Sequence, residues 1–316
     1  MLDFVKLRRN KIHKFQPKVK IFSDKGPFIL KTVSSSDELI DALRLRYQVF
    51  HREMLGKTKP TGIDVDEFDF VSDHLAIIEK KSGKLIGTYR LNCSTYSENF
   101  YSSQEFNLRR VMQEPGAKLE LGRACIHPDF RKGLVISLLW RGIAEYMAAT
   151  DSKILFGCAS IKTESARETA LLYHYFQREQ RFHPDYWCPP TLQYSMPGLE
   201  LWIEKFSHGV SQDDLEKVEA LIPPLARAYL KAGAYLGGEP AYDPAFKCID
   251  FLTILPRENL NKILWRKYGS CQTGSEEAQE AKQKHGLPLG VPEMPSRSAM
   301  NLNSASSSTE SMSQAT

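Results

Sequence analysis

Residues able to do chemistry concentrate between Lys118 and Met147, KLELGRACIHPDFRKGLVISLLWRGIAEYM. Glu120 and Arg123 put a carboxylate and a guanidinium three residues apart among small and apolar neighbours. His127-Pro128-Asp129 then interrupts the run, and Arg131-Lys132-Gly133 leads into a strongly apolar stretch. A strand that turns through a basic, glycine-containing loop into a helix aims free backbone N–H groups at one point. Such a point suits an anion or a polarised carbonyl. A second charged stretch is Asp64-Val65-Asp66-Glu67-Phe68-Asp69-Phe70, followed by Asp73-His74. It could be a calcium loop, but the glycine and closing glutamate of an EF-hand are missing. A plain hydrophilic turn is the simpler reading, with Phe68 and Phe70 pinning it down. Arg90 ends an apolar strand and needs a partner, because an unpaired buried guanidinium is costly. Asp66 and Asp69 are the partners on offer. His74 alone reads as a hydrogen-bonded structural histidine before it reads as a catalyst.

These groups need a frame. Ser35 to Met54 is a helix: Ser35 with Glu38 makes a capping box, and Ile40, Leu43, Tyr47, Phe50 and Met54 recur at helical spacing. Arg44 and Arg52 read as a solvated face, whereas Arg46 sits beside the buried stripe. Gly56 to Gly62 is a loop. His74 to Lys80 and Leu85 to Leu91 form a hairpin through Lys81-Ser82-Gly83-Lys84. Asn99 to Gln113 reads as irregular with a short helix, basic at Arg109-Arg110. Leu119 to Ile126 is a strand and Leu134 to Met147 a helix. Ile154 to Ile161 is a buried strand, Glu164 to Arg178 a helix, Phe182 to Pro190 a loop and Leu199 to Phe206 a strand. Ile222 to Leu236 is a helix opened by proline and closed by Gly237-Gly238. Core packing, with Gly233 allowing a close approach, is placed ahead of an acyl groove or a membrane-facing surface for that helix. Ile249 to Leu255 is a last strand and Asn259 to Tyr268 a short helix.

The chain has 316 residues, 42% hydrophobic and 25% charged, which is ordinary for a soluble globular protein. A net charge of +4 does not announce a nucleic-acid binder, and none is expected. No apolar run reaches the length of a membrane span, and the first residues lack the apolar core of a signal peptide. The six cysteines show no C-x-x-C pair and no zinc-like spacing, so reduced thiols in a cytoplasmic protein without a metal are expected. Residues 1–28 read as a basic arm, solvated or facing something acidic such as anionic lipid or an acidic carrier protein. Residues 29–269 form one catalytic domain. Residues 270–316, rich in Ser, Asn, Gln and Met, read as a disordered tail.

Three sub-motifs carry a likeness to a family. They are Arg46-Tyr47-Gln48-Val49-Phe50; Asp66-x-x-Asp69 with Asp73-His74-Leu75 and Gly87-x-x-Arg90-Leu91; and Glu120-x-x-Arg123 followed by Arg131 and Leu139 to Gly142. In this order the chain resembles the acyl-carrier-protein-dependent branch of the GNAT acyltransferases. That branch holds the N-acyl-homoserine lactone synthases and the ornithine N-acyltransferases. The segment from Ile222-Pro223-Pro224-Leu225 to Asp250-Phe251 looks like the latter. The resemblance covers roughly Thr32 to Pro256. It implies an α/β fold of the GNAT type, a mixed central sheet with a bulged strand flanked by helices. It also implies transfer of a (3-hydroxy)acyl chain from acyl carrier protein to the α-amine of L-ornithine, giving lyso-ornithine lipid at the inner face of the membrane. Acylation of glycine or another amine, a lactone-type signal synthase, and a non-catalytic membrane-surface scaffold are the alternatives.

By the same resemblance Glu120 is the base, directly or through a water, with a salt bridge to Arg123 as its structural alternative. Backbone N–H groups from Arg123 to Ile126 would meet the oxyanion. Asp66, Asp69, Arg90 and Arg123, joined by Arg46, would shape the substrate pocket, whose acids suit the second amine of ornithine. No cofactor is expected to be resident, the donor being the phosphopantetheine thioester. Ala124, Cys125, Ile126, Arg131, Lys132 and Gly133 are the expected contacts of that arm. Leu134 and Ile136 stand where coenzyme A users of the superfamily carry a glycine and a small residue. Close wrapping of a pyrophosphate is therefore unfavoured, and a carrier protein has none. Arg131, Lys132 and Arg109-Arg110 would dock the acidic carrier.

Overall fold

A computed structural model describes residues 10–260 apart from Lys132. Its nine strands form a single mixed sheet in the order β1-β2-β3-β4-β5-β6-β9-β7, with β8 beside β7 on the outer edge of β9. The strands are β1 (Phe22–Lys25), β2 (Phe28–Thr32), β3 (Asp73–Glu79), β4 (Leu85–Cys93), β5 (Ala117–Ile126), β6 (Ser152–Ile161), β7 (Tyr235–Leu236), β8 (Ala241–Asp243) and β9 (Cys248–Pro256). Every pairing is antiparallel except β5 with β6. A parallel pair needs a crossover. Here it is α4 (Leu134–Thr150), after α1 (Ser36–Arg46), α2 (Ser102–Glu105) and α3 (Arg109–Gln113). Further on come α5 (Ala166–Arg178), α6 (Leu199–Phe206), α7 (Gln212–Ala220) and α8 (Pro224–Ala232).

The period of α4 decides its place. Val135, Leu138, Leu139, Ile143, Tyr146 and Met147 recur every three or four residues, and all are buried. They pack on Leu30, Leu75, Ile77, Leu91, Leu119 and Leu121, the side chains of alternate positions on β2 to β5. Burying one such side chain stabilises by about 1.5–3 kcal/mol. At Gly142 an added Cβ would lie 2.8 Å from Leu75 and 2.9 Å from Leu30, so the helix approaches the sheet too closely for a side chain there. The opposite face of β3 to β5 carries His74, Arg90 and Glu120, and α1 covers part of it through Leu39 and Leu43.

The strands β5 and β6 pair only from Ala117 to Glu120, with a register shift after Ala117. Beyond that, β5 from Leu121 to Ile126 pairs with β4 alone, while β6 from Gly157 to Ile161 pairs with β9 alone. The two strands therefore splay apart at their C-terminal ends. Two residues of β5, Arg123 and Ala124, stand against the single Tyr89 of β4. This is a β-bulge, the local device that re-aims a side chain. The expected mixed sheet, with its bulged strand and flanking helices, is what the chain forms.

Several expectations are corrected. The first helix is α-helical only to Arg46 and continues as a π-helix over Tyr47–Met54. Its box is half made: Ser35 Oγ accepts Glu38 N–H at 3.2 Å, but Glu38 reaches Ser34 N–H instead of Ser35. Leu199–Phe206 is a helix, since Leu199, Trp202, Ile203 and Phe206 pack as a helical stripe. The helix after Pro223 stops at Ala232, where Gly233 at φ 102° turns the chain, and Leu236 belongs to β7. Helix α7 was not foreseen. From residue 10 the expected arm is built into the fold. Ile12, Phe15, Val19 and Ile21 are buried, Asp73 accepts the Lys18 and Val19 N–H groups, and the 28/29 boundary cuts the β1–β2 hairpin. The expected 270–316 tail and most of the Asn259 to Tyr268 helix lie outside the described residues.

Candidate active site

Arg46 ends α1 fully buried, and only carboxylates can balance it there. Its Nε and Nη2 donate to Asp64 at 2.9 and 2.7 Å, and its Nη1 to Asp69 at 2.6 Å. Arg90 Nη1 donates to both oxygens of Asp66, at 2.6 and 2.8 Å, and to Asp69 at 3.1 Å. Arg123 Nη2 donates to Asp66 at 3.0 Å, with Nε 3.9 Å from Asp64. Three arginines thus interlock with three aspartates.

The acidic loop is shaped to present those carboxylates. Asp66 caps a 3-10 turn by accepting Phe68 N–H at 3.0 Å, and Asp69 accepts Asp66 N–H at 2.8 Å. This is a capping box, not a calcium loop. Burial alone would raise all three aspartates, but the facing guanidiniums outweigh it and hold each below the ordinary carboxylate range. His51 on the π-helix lies 3.0 Å from Asp64. His74 Nε2–H donates to the Asp69 carbonyl at 3.0 Å, and burial lowers its pKa to about 4, so it is a neutral structural histidine.

Arg123 sits at the bulge with φ 54°. A non-glycine residue there costs about 1–2 kcal/mol. The conformation sends its guanidinium over the Tyr101 ring, 4.9 Å from the centroid, and over Phe246 at 5.2 Å. Those cation–π contacts and the Asp66 bond hold the strained residue in place.

Glu120 lies on the same face but forms no ion pair with Arg123. Its Oε2 accepts Tyr101 N–H at 3.0 Å and its Oε1 accepts Ser102 N–H at 2.7 Å. A buried carboxylate thus starts α2 and fixes Tyr101 against Arg123. Each oxygen keeps a lone pair for a further donor.

The residues expected to touch the donor arm are arranged less openly. Ala124 packs against the core. Cys125 is buried, its thiol pushed up to about 12 by burial, so it is no nucleophile. The Ile126 carbonyl accepts Arg131 Nε at 3.1 Å. Arg131 makes a bidentate pair with Glu53 at 2.6 and 2.8 Å on an exposed surface. Gly133 at φ 82° opens α4, whose start no side chain caps among the described residues. Lys132 lies outside them. The β6-facing edge of Leu121–Ile126, which has no strand partner, is where a thioester carbonyl could meet backbone N–H groups.

Asp64, His51, Tyr101 and Phe246 were not singled out, and neither was a second buried group, Glu105 with Asp250. Asp250 entered only as the end of the resembling segment, without a role; its own signal is an acid inside the otherwise apolar run Cys248–Pro256. Glu105 left none, because its burial follows from the fold alone.

A family model described as an acetyltransferase (GNAT) domain matches residues 45–141, which span all the predicted site residues. The L-ornithine N(alpha)-acyltransferase of Brucella abortus is 29% identical over 78% of this chain and 90% of its own. That of Rhizobium meliloti is 28% identical over 75% of this chain and 82% of its own. Among solved structures, the AHL synthase LasI covers 79% of this chain and 98% of its own at 14% identity, with a TM-score of 0.42. The matched domain and the two curated relatives make the chain an acyltransferase of the GNAT fold, similar to the L-ornithine N(alpha)-acyltransferases.

Proposed function

We propose that the protein moves a (3-hydroxy)acyl chain from acyl carrier protein to the α-amine of L-ornithine, giving lyso-ornithine lipid. The observation that carries this reading is the likeness to L-ornithine N(alpha)-acyltransferases along most of both chains. The site supports it. An amine of pKa about 8 is mostly protonated at neutral pH and needs a proton acceptor. Glu120 takes that proton through a water, using the lone pairs left beside its two backbone bonds. Backbone N–H groups of the splayed β5 edge stabilise the oxyanion as the thioester carbonyl becomes tetrahedral; its collapse breaks the C–S bond, and the carrier's thiol leaves with the proton taken from the amine. Arg123, with a buried Nε that has no hydrogen-bond partner among the described residues, receives the acceptor's carboxylate. Arg46, Asp66, Asp69 and Arg90 hold Arg123 in position.

Carrier protein is preferred to coenzyme A as donor because Leu134 and Ile136, in the first turn of α4, stand where a pyrophosphate would need close backbone approach. No described helix is long and apolar enough to cross a membrane. The amphiphilic product, and Leu192 and Leu201 at 97% and 72% exposed, support a place at the inner membrane surface.

Lipid mass spectrometry of a host without aminolipids, expressing the chain or its Glu120→Ala variant, tests the reading. A new ornithine-containing acyl species is expected with the first and not with the second. A different acylated amine would overturn the substrate, and no new lipid from a folded protein would overturn the reaction.

A further inference from the structure

The arginine–aspartate network leaves no acid free for a cationic substrate group, since Asp64, Asp66 and Asp69 each face guanidinium. Next to it lies a group in the opposite condition. Glu105 at the end of α2 is fully buried, and neither of its oxygens has a hydrogen-bond partner among the described residues. Tyr101 and Cys158 approach it without completing a bond, and the Asp250 carboxylate acts on it. Asp250, on β9, is itself 3% exposed and accepts Ser160 Oγ–H at 2.6 Å on one oxygen and the Cys248 thiol at 3.8 Å on the other. Burial first, then Asp250, pushes Glu105 up to about 8; burial raises Asp250 to about 6. At neutral pH two buried carboxyls raised this far share a proton, and among the described residues no ion pair answers the negative charge that is left. Cys158 and Ser160 belong to the part of β6 that has left β5, so the pair lies along the splayed edge, where Phe246 covers Arg123.

We propose that Glu105 and Asp250 together form the subsite for the side-chain ammonium of a diamino acid acceptor. This rests on the amine-acylation reading above and adds how the acceptor is chosen. A primary ammonium donates three hydrogen bonds and carries the one charge the pair lacks. Arg123, nearby, would hold the carboxylate of the same molecule, which places the α-amine between the two anchors. A metal fits less well. Asp243, Cys248 and Asp250 offer ligand atoms within 4.8 Å of one another, but burial holds the Cys248 thiol protonated, and Asp243 already accepts Ala245 and Phe246 N–H at 2.7 and 3.2 Å.

The test compares L-ornithine with L-norleucine, its isostere bearing methyl in place of ammonium. Acyl transfer from acyl carrier protein is measured with wild type, Glu105→Gln and Asp250→Asn. A site built around a buried charge is expected to favour ornithine in the wild type, and each substitution to cut the ornithine-to-norleucine ratio of kcat/KM about tenfold or more, through KM for ornithine. Without donor, ornithine but not norleucine should raise the Tm of the wild type, and this gain should vanish in Glu105→Gln. Glu105→Gln keeps the size and neutrality of the protonated carboxyl and should not itself lower Tm. Lysine replacing ornithine with the same dependence on Glu105 would keep the subsite and overturn the ornithine reading alone. Ornithine transfer with an unchanged ratio, or equal loss for both acceptors, would overturn the subsite alone. Stabilisation by Zn²⁺ in place of ornithine would also overturn it.

Discussion

The charged residues of this site act as a unit, and the cost of removing one is set by what it leaves behind. Asp69 binds both Arg46 and Arg90 in full burial. Asp69→Asn should therefore lower stability by about 3–5 kcal/mol, the range for breaking a buried pair. Denaturant melts check this, and a loss below 1 kcal/mol would contradict it. The same ion pairs fix a pH dependence. Asp64, Asp66 and Asp69 have folded pKa values below the unfolded value of about 3.9. Their stabilisation is thus present above that pH and is lost as pH falls below it. Melts from pH 6 down to 3 should show the steepest decline under pH 4, and a protein equally stable at pH 3 would contradict the network. Arg90 was legible because a charge within an apolar strand must find a partner, and the sequence offered only a few acids. The Glu120 geometry was not, because nothing local says that its oxygens would meet Tyr101 and Ser102.

Elements, more than single residues, make the cleft. The parallel pair holds for a few residues and then opens, and Gly157 stands where it opens. An added Cβ there would lie 2.2 Å from the Leu121 carbonyl oxygen, which is backbone and cannot swing away. Gly157→Ala should force β5 from β6 and destabilise by about 1–3 kcal/mol or more, as overpacking does. A thermal melt within 1 °C of wild type would contradict this. Strongly periodic elements were readable: α4, the β3–β4 hairpin, β6 and β9 stand within a few residues of their expected bounds. Leu199–Phe206 was misread because Leu199, Leu201 and Ile203 alternate like a strand. The burial that decides is on Leu199, Trp202, Ile203 and Phe206, while Leu201 faces out. The π-helix after Arg46 has no sequence signature. It is fixed at its end by Gly56 at φ 62°, which lets Lys57 N–H reach the His51 carbonyl at 2.8 Å.

At the scale of the whole molecule, the proposed function needs a carrier protein to deliver its acyl chain beside α4. Arg131 is held by Glu53 in an exposed pair, and such pairs are worth about 0–1 kcal/mol. An acidic carrier can therefore exchange for Glu53 at small cost. Arg131→Glu with Lys132→Glu should raise the KM for acyl carrier protein at least tenfold at low salt and leave the fold intact by circular dichroism. Unchanged carrier kinetics would contradict this docking. The most direct measurement is a purified reaction with acyl carrier protein thioester and L-ornithine, its product resolved by tandem mass spectrometry. An amide on the α-nitrogen with a free side-chain amine, formed faster from the carrier than from the coenzyme A thioester, is the expected result. Acyl transfer to another amine, or none from a folded protein with loaded carrier, would contradict it.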